Sequence, residues 1–452
     1  MKNKNFGIKS IIGGLFCLFT LMNINTSSAQ VYPGFENTSN FHHQKLERRR
    51  VELAPGVYAF IGYGLSNIGV IASKNGYILI DAGSHPAMSM EALKEIRRLV
   101  PDSLQAIILT HSHGDHRGGA SAFLGDRGEK IPVYASFNFE AEQRAAKGLE
   151  KVTAQRTAKQ FGQGIPDDRY TPNIIIPNFS GFKMGPLVTP NHFVKEGKTE
   201  LTIDGVKLEL YTLPSETPDH LAIWLPDKKV LFSGDAVYGC FPNVYPLRGG
   251  EYRDMEKWAA TVHRLMEFKP DAIMFGHTDA VVGTDKIQSM LSNNAEAIEY
   301  VYNETIKGMN EGKTPDELAA NIQLPMNLRQ ESYLGEYYGA ISWAIREIYV
   351  AKLGWFDGNA TNLVPLTSTE EAERMAGLAG GKEHILQAAK DALKKKDFRW
   401  AAKLADWMLL LGEEKEGRHI KADALEGISH NILPIAGKNY LIRTAIDLKK
   451  DL

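Results

Sequence analysis

The run Thr110-His111-Ser112-His113-Gly114-Asp115-His116 puts three imidazoles and one carboxylate into six residues, directly after the apolar stretch Ala106–Leu109. A strand or tight turn throws His111 and His113 to the same side, where both can meet one ion, and Asp115 and His116 then point to a neighbouring position. Imidazole nitrogen and carboxylate oxygen suit zinc, and manganese or iron can use the same set. Four ligands in one loop are too many for a single catalytic ion that keeps an open position, which implies two ions sharing a bridge. The plain alternative is a polar surface loop rich in histidine, and the short buried strand in front of it argues against that.

Outward from this loop, the missing ligands are expected at later strand ends. Glu216 lies in Pro214-Ser215-Glu216-Thr217-Pro218-Asp219-His220, after a strand ending at Thr212. Asp235 closes Phe232-Ser233-Gly234-Asp235, and His277 follows Ile273-Met274-Phe275-Gly276. Asp81, in Asp81-Ala82-Gly83, also sits at a strand end and is expected to orient a ligand histidine rather than to bind metal. Cys240 has no general base beside it and reads as a small buried hydrophobe.

The chain has 452 residues, 43% of them apolar, and a formal charge of −2. It can build large cores, which excludes a mainly disordered chain, and the balanced charge argues against nucleic acid as a partner. Lys2, Lys4 and Lys9 precede an apolar run from Ile11 to Met22, and Ser27-Ser28-Ala29 supplies small residues for cleavage. Residues 1–29 therefore read as a signal peptide, since an apolar run of about 12 residues is short of a membrane span. The exported chain, periplasmic or secreted, carries −5 and the single Cys240, so no intrachain disulfide can form. No second long apolar run follows, so a soluble protein with no stable membrane span is expected.

Residues 30–50 read as an N-terminal arm. From Val51, β-rich runs at 57–61, 67–72, 77–81, 106–109, 200–203, 206–212, 221–224, 230–233 and 272–275 alternate with helical spacing at 89–100, 139–160 and 255–267. This predicts two mixed sheets with helices outside, an α/β αββα sandwich over 51–284. Residues 285–452 read as almost wholly helical, including a helix over 331–353 with Leu334, Tyr338, Ile341, Ile345 and Ile348 on one stripe. The segment 162–192 has little periodicity, and such a passage covers a site or forms a subunit contact.

The string His-x-His-x-Asp-His, the Ser-Gly-Asp after a strand and the late Gly-His together resemble the metallo-β-lactamase superfamily. Glu216 stands where most of its hydrolases carry His, which is similar to the bacterial alkyl sulfatase branch. So are Phe241-Pro242-Asn243-Val244-Tyr245-Pro246-Leu247-Arg248-Gly249, and the helical signature from Tyr338-Gly339-Ala340-Ile341-Ser342 to Leu353-Gly354-Trp355-Phe356-Asp357-Gly358-Asn359. The resemblance implies two zinc ions per chain. His111, His113 and Glu216 would hold the first, Asp115, His116 and His277 the second, and Asp235 would bridge. The family usually has Glu at the bridging place and Glu-Ala-Pro where this chain has Glu216-Thr217-Pro218. It also places His220 beside the site without making it a ligand, and it implies a homodimer through a helical alkyl sulfatase dimerisation domain at 285–452. The resemblance to longer members with a sterol-carrier-like third domain, for which no counterpart is read after Leu452, leads to the expectation of shorter, branched or otherwise unusual alkyl chains.

Hydrolysis of an alkyl sulfate ester, a small amphiphile, by a water activated between two metals follows as the expected reaction. Asp115 and Asp235 serve it through the metals, and Arg248 is the first candidate for the cationic clamp on sulfate, with Arg253 second. Ile174, Ile175, Ile176, Phe179, Phe182, Met184, Leu187, Phe193, Phe241, Val244 and Tyr245 are candidates for a gate around the alkyl chain. The competing readings are another hydrolase of the superfamily, a lactonase, β-lactamase or phosphodiesterase, and a secreted binding module without catalysis.

Overall fold

The computed structural model describes residues 47–170, 172–176 and 184–450. The signal peptide read over 1–29, most of the arm, and Phe179 and Phe182 lie outside the described residues. Arg49–Ala54 (β1), Val57–Ile61 (β2), Ile68–Ala72 (β3) and Tyr77–Ile80 (β4) pair as an antiparallel meander. Leu104–Ile108 (β5), Val133–Ser136 (β6) and His192–Val194 (β7) extend it in parallel. The second sheet begins with the meander Lys198–Ile203 (β8), Val206–Thr212 (β9), Leu221–Leu225 (β10) and Val230–Gly234 (β11). Ala272–Phe275 (β12) joins β11 in parallel and Val281–Val282 (β13) closes the edge.

Strand alternation sorts the core into layers. Ile78 and Ile80 of β4 meet Ile223, Leu225 and Phe232 between the sheets. The intervening Tyr77 and Leu79 pack outward on Ala92, Leu93 and Ile96 of the helix Pro86–Ile96 (α1). On the far side, Ala222 and Trp224 pack toward Trp258, Val262 and Leu265 of Met255–Glu267, and toward Leu291 and Ile298 of Thr284–Asn310. Parallel pairing of β4 with β5 and of β11 with β12 brings four carboxyl ends to one rim, followed by Asp81, His111, Asp235 and His277. Ligand sites of open α/β sheets form on such a rim.

Two expected helices are broken, each for a visible reason. The segment expected over 139–160 is two helices, Ala141–Ala145 (α2) and Glu150–Gln160 (α3), separated where Gly148 takes φ +91. The helix expected over 331–353 starts only at Ile341 (α4, Ile341–Leu353), where Glu336 accepts the Ile341 N–H at 2.6 Å. Upstream, the backbone serves its neighbours instead: Phe241 N donates to Gly335 O at 3.0 Å, and Asn173 Nδ2 and Ile435 N both donate to Tyr337 O, at 2.7 and 2.9 Å. Tyr338 therefore leaves the apolar stripe and turns toward the rim.

The helices after α4 play two parts. Ser368–Ala379, Lys382–Lys394, Phe398–Leu410 and Glu414–Ser429 share a core of their own around Ile385, Leu404, Met408 and Ile420. The last helix, Ile435–Lys449 (α5), returns to α3, where Lys159 Nζ donates to Thr444 Oγ1 at 3.3 Å and Arg443 Nη1 donates to Gln163 O at 2.6 Å. The architecture is thus an αββα sandwich followed by a helical half.

Gly339 passes so close to the loop of the sandwich that a Cβ there would lie 2.5 Å from Pro242 O and 2.7 Å from Asn243 Cα. Gly339→Ala is expected to cost about 1–3 kcal/mol by overpacking, read as a lower midpoint in thermal unfolding.

Candidate metal centre

Each histidine of the rim has one ring nitrogen fixed by an outer partner, and this sets its tautomer. Asp81 Oδ2 accepts from His116 Nδ1 at 2.8 Å, and Leu65 O accepts from His277 Nδ1 at 2.9 Å. Thr110 Oγ1 donates to Asp81 Oδ2 at 2.9 Å, so it accepts from His111 Nδ1, 3.0 Å away. Glu142 Oε2 accepts from His113 Nε2 at 2.9 Å. In all four rings the other nitrogen faces a common space.

Between His111 and His113 the two inner nitrogens are both lone pairs, since each ring gives its proton to its outer partner. His111 Nε2 and His113 Nδ1 stand 2.9 Å apart, and two acceptors at that distance repel unless a cation lies beside them. Asp235 Oδ2 is 3.7 Å from His111 Nε2, 3.4 Å from His116 Nε2 and 3.2 Å from His277 Nε2. Asp115 Oδ2 lies 3.6 Å from His116 Nε2 and 3.4 Å from His277 Nε2. Buried His116 Nε2 and Asp235 Oδ1 have no hydrogen-bond partner among the described residues. Three ligand triads fall within 4.8 Å: His111, His116 and Asp235; Asp115, His116 and His277; His113, Glu216 and Asp235. Asp235 belongs to two of them, the place a bridging carboxylate needs. The donor set fits metal binding, and all seven candidates fall within these triads.

The electrostatics point the same way. Burial alone would raise the Asp235 carboxyl, but His277 and His116 outweigh it and hold it well below the usual range. Burial works against charge on His277, while Asp235 and Asp115 pull its pKa up to about 9. Burial, joined by the neighbouring His116 and His113, drives His111 far down. Buried opposite charges of this kind are stable only when paired, and the cluster is acid-rich enough to take added positive charge. Gly276 permits the close approach: a Cβ there would fall 1.9 Å from Asp235 Oδ1.

Around the cluster, other expectations sort out. His220 is buried behind it, where Nε2 accepts the Asp235 N–H at 2.9 Å and burial lowers its pKa to about 3. It supports the Asp235 turn. Arg253, 4% exposed, donates to Glu216 Oε1 and to Asn243 O at 2.6 Å, so it braces the Glu216 carboxylate and does not line the opening. Arg248 does face it. Its Nη2 lies 3.1 Å from His113 Nε2, but that nitrogen carries the proton given to Glu142, so the pair is donor against donor. Nη2 is left to donate to an anion in the opening.

A cavity of about 430 Å³ opens beside the cluster, lined by His113, Asp115, Glu216, Asp235, His277 and Arg248 on the polar side. Leu149, Val152, Phe161, Ile175 and Met184 form an apolar wall, and Tyr338 of the helical half completes it. Of the gate candidates, Ile175 and Met184 line this cavity. Ile174, Ile176, Phe241 and Val244 are at most 4% exposed and belong to the core under the second sheet, and Phe193 is exposed on β7. Sequence reasoning missed Glu142, 6% exposed, which joins His113 to Arg248 (Oε1 to Nη1, 3.5 Å). Burial would raise its carboxyl, but the His113 hydrogen bond and the two arginines hold it far below the usual range. The signal available was a carboxylate three residues after Phe139 on the buried side of a helix.

Residues 61–277 match the family model described as "Metallo-beta-lactamase superfamily"; the sandwich and its rim of histidines and carboxylates define the protein as a member of that class. Residues 314–451 match the model described as "Alkyl sulfatase dimerisation". The chain belongs to the alkylsulfatase family within the superfamily: it is 31% identical over 392 residues to a "Linear primary-alkylsulfatase" of a Pseudomonas species, covering 85% of this chain and 74% of that one. It is 29% identical to an "(R)-specific secondary-alkylsulfatase" of Pseudomonas, with 91% and 65% covered. The solved structure of the stereoselective inverting sec-alkylsulfatase Pisa1 from Pseudomonas superposes with a TM-score of 0.80 at 28% identity, over 90% of this chain and 66% of that one. This chain thus spans about two thirds to three quarters of the length of these relatives.

Asp81 tests the outer layer. Asn tolerates the left-handed backbone Asp81 adopts, φ 56, so Asp81→Asn is expected to keep the fold. It should weaken metal retention about 10- to 100-fold, measured by competition with a chromogenic chelator.

Proposed function

We propose that the protein hydrolyses alkyl sulfate esters to alcohol and inorganic sulfate with the help of two zinc ions. The observation that carries this is the common opening of the ligand cluster, the Arg248 guanidinium and an apolar wall onto one cavity. A sulfate ester has a compact anionic head and an apolar tail, and these surfaces match its two ends. The names of the relatives support the same substrate class.

His111, His113 and Glu216 would hold one ion and Asp115, His116 and His277 the other, with Asp235 between them. Ions bound there supply Lewis acidity and a nucleophilic water at neutral pH. Asp81, Thr110, Glu142 and Leu65 O orient the four imidazoles through their outer nitrogens, and Arg253 holds Glu216 in place. Arg248 donates to the sulfate oxygens, where charge builds as the ester bond breaks, and a planar guanidinium matches such oxygens in pairs. The wall of Leu149, Val152, Phe161, Ile175 and Met184 takes the alkyl chain out of water at about 0.8 kcal/mol per methylene.

The export leader read at 1–29 supports a periplasmic or secreted address. Val350, Leu353, Trp355 and Val364 of the helical half are large apolar residues more than half exposed. Together with the dimerisation-family match they support a homodimer formed by this half.

The test is a zinc-loaded enzyme offered primary and secondary alkyl sulfates, an aryl sulfate, nitrocefin and a phosphodiester. Turnover of the alkyl sulfates alone is expected; activity confined to nitrocefin or the phosphodiester refutes the assignment. Reaction in 18O-labelled water shows which bond breaks, because the label enters the alcohol on carbon–oxygen cleavage and the sulfate on sulfur–oxygen cleavage. Arg248→Ala is expected to lower kcat about 100-fold with zinc content unchanged. A Trp355→Asp, Val364→Asp double variant should sediment as a monomer at concentrations where the parent is a dimer.

A further inference from the structure

Resting on the sulfatase reading above, we infer that Gln160 is a positioning residue that fixes Arg248 at the cavity and ties it to the helical half of the molecule. Residues between the end of β11 at Gly234 and Met255 form no strand or helix, so no ladder of backbone hydrogen bonds sets the height of Arg248. The peptide N–H of Arg248 instead donates to Gln160 Oε1 at 2.8 Å. The same amide donates through Nε2 to Tyr338 Oη at 2.9 Å, and the Gln160 carbonyl accepts from Asn439 Nδ2 of α5 at 3.1 Å.

Gln160 is fully buried and Asn439 1% exposed. Gln160 is not part of the cavity lining, whereas Arg248 and Tyr338 both are. It therefore touches no substrate and acts through the two residues that would. A planar amide with both ends engaged has one orientation, which transmits the placement of α5 and of Tyr338 to the guanidinium loop. A buried glutamine that only filled space would leave its polar atoms unpaired, at a cost of about 1–3 kcal/mol.

A double-mutant cycle between Gln160→Met and Arg248→Ala tests this in the zinc-loaded full chain. The readouts are kcat and KM for dodecyl sulfate, inhibition by inorganic sulfate, zinc content and thermal midpoint. Methionine keeps the length of the side chain and removes both polar contacts. Gln160→Met alone is expected to lower kcat/KM about tenfold and to weaken sulfate inhibition by a similar factor, with zinc content unchanged. In the Arg248→Ala background the same substitution should change neither by more than about twofold. Equal losses in both backgrounds, or a lowered midpoint with sulfate inhibition intact, overturn the inference while leaving the sulfatase reading standing. A neutral Arg248→Ala overturns the inference and the role of Arg248 as the sulfate clamp, whereas a parent enzyme that does not turn over dodecyl sulfate overturns the sulfatase reading. If Gln160→Met does not fold, Asn439→Ala, which releases the Gln160 carbonyl far from the cavity, enters the same cycle with a smaller loss expected.

Discussion

The Asp81 carboxylate is the contact from which the rest of the site is built. It is wholly buried at the end of β4, and it accepts the Thr110 N–H at 2.8 Å, the Thr110 hydroxyl and the His116 ring. A buried carboxylate is tolerable only when its oxygens are this fully engaged. The engagement locks the end of β5 against β4 and thereby aims the loop from His111 to His116. Through Thr110 it also fixes the proton on His111. One side chain thus couples strand register to the protonation pattern of two imidazoles.

The sandwich and the convergence of the seven candidate residues were readable from the sequence because they are local facts about strand ends. His111 to His116 are neighbours in sequence, and Asp235 and His277 each end a short apolar run. The layer order follows from the same alternation. Glu142, Gln160 and Tyr338 were not readable in this way, since their roles exist only after α2, α3 and the segment before α4 fold over the rim. Tyr338 even carried a misleading signal. It fits an apolar helical stripe with Ile341 and Ile345, but Gly335 and Gly339 and the demands of Phe241 and Asn173 pull its backbone out of the helix.

The helical half is consequently more than an appendage for assembly. Its inner elements, α4 with its lead-in and α5, pack on the sandwich and supply Tyr338 and Asn439. Its outer helices around Leu404 and Met408 keep a separate core. The inner part is built into the wall of the cavity, and the outer helices pack on one another.

The apolar wall of Leu149, Val152, Phe161, Ile175 and Met184 carries a kinetic consequence. Under the proposed chemistry the hydrocarbon chain passes through the reaction unaltered, so the wall grips the alcohol product as firmly as it gripped the ester. Such uniform attraction deepens ground state and transition state alike and adds nothing to the chemical step. The released sulfate is small, hydrated and quick to depart, and the fatty alcohol becomes the species that lingers. Longer chains would then shift the slow event from bond breaking to escape of the alcohol.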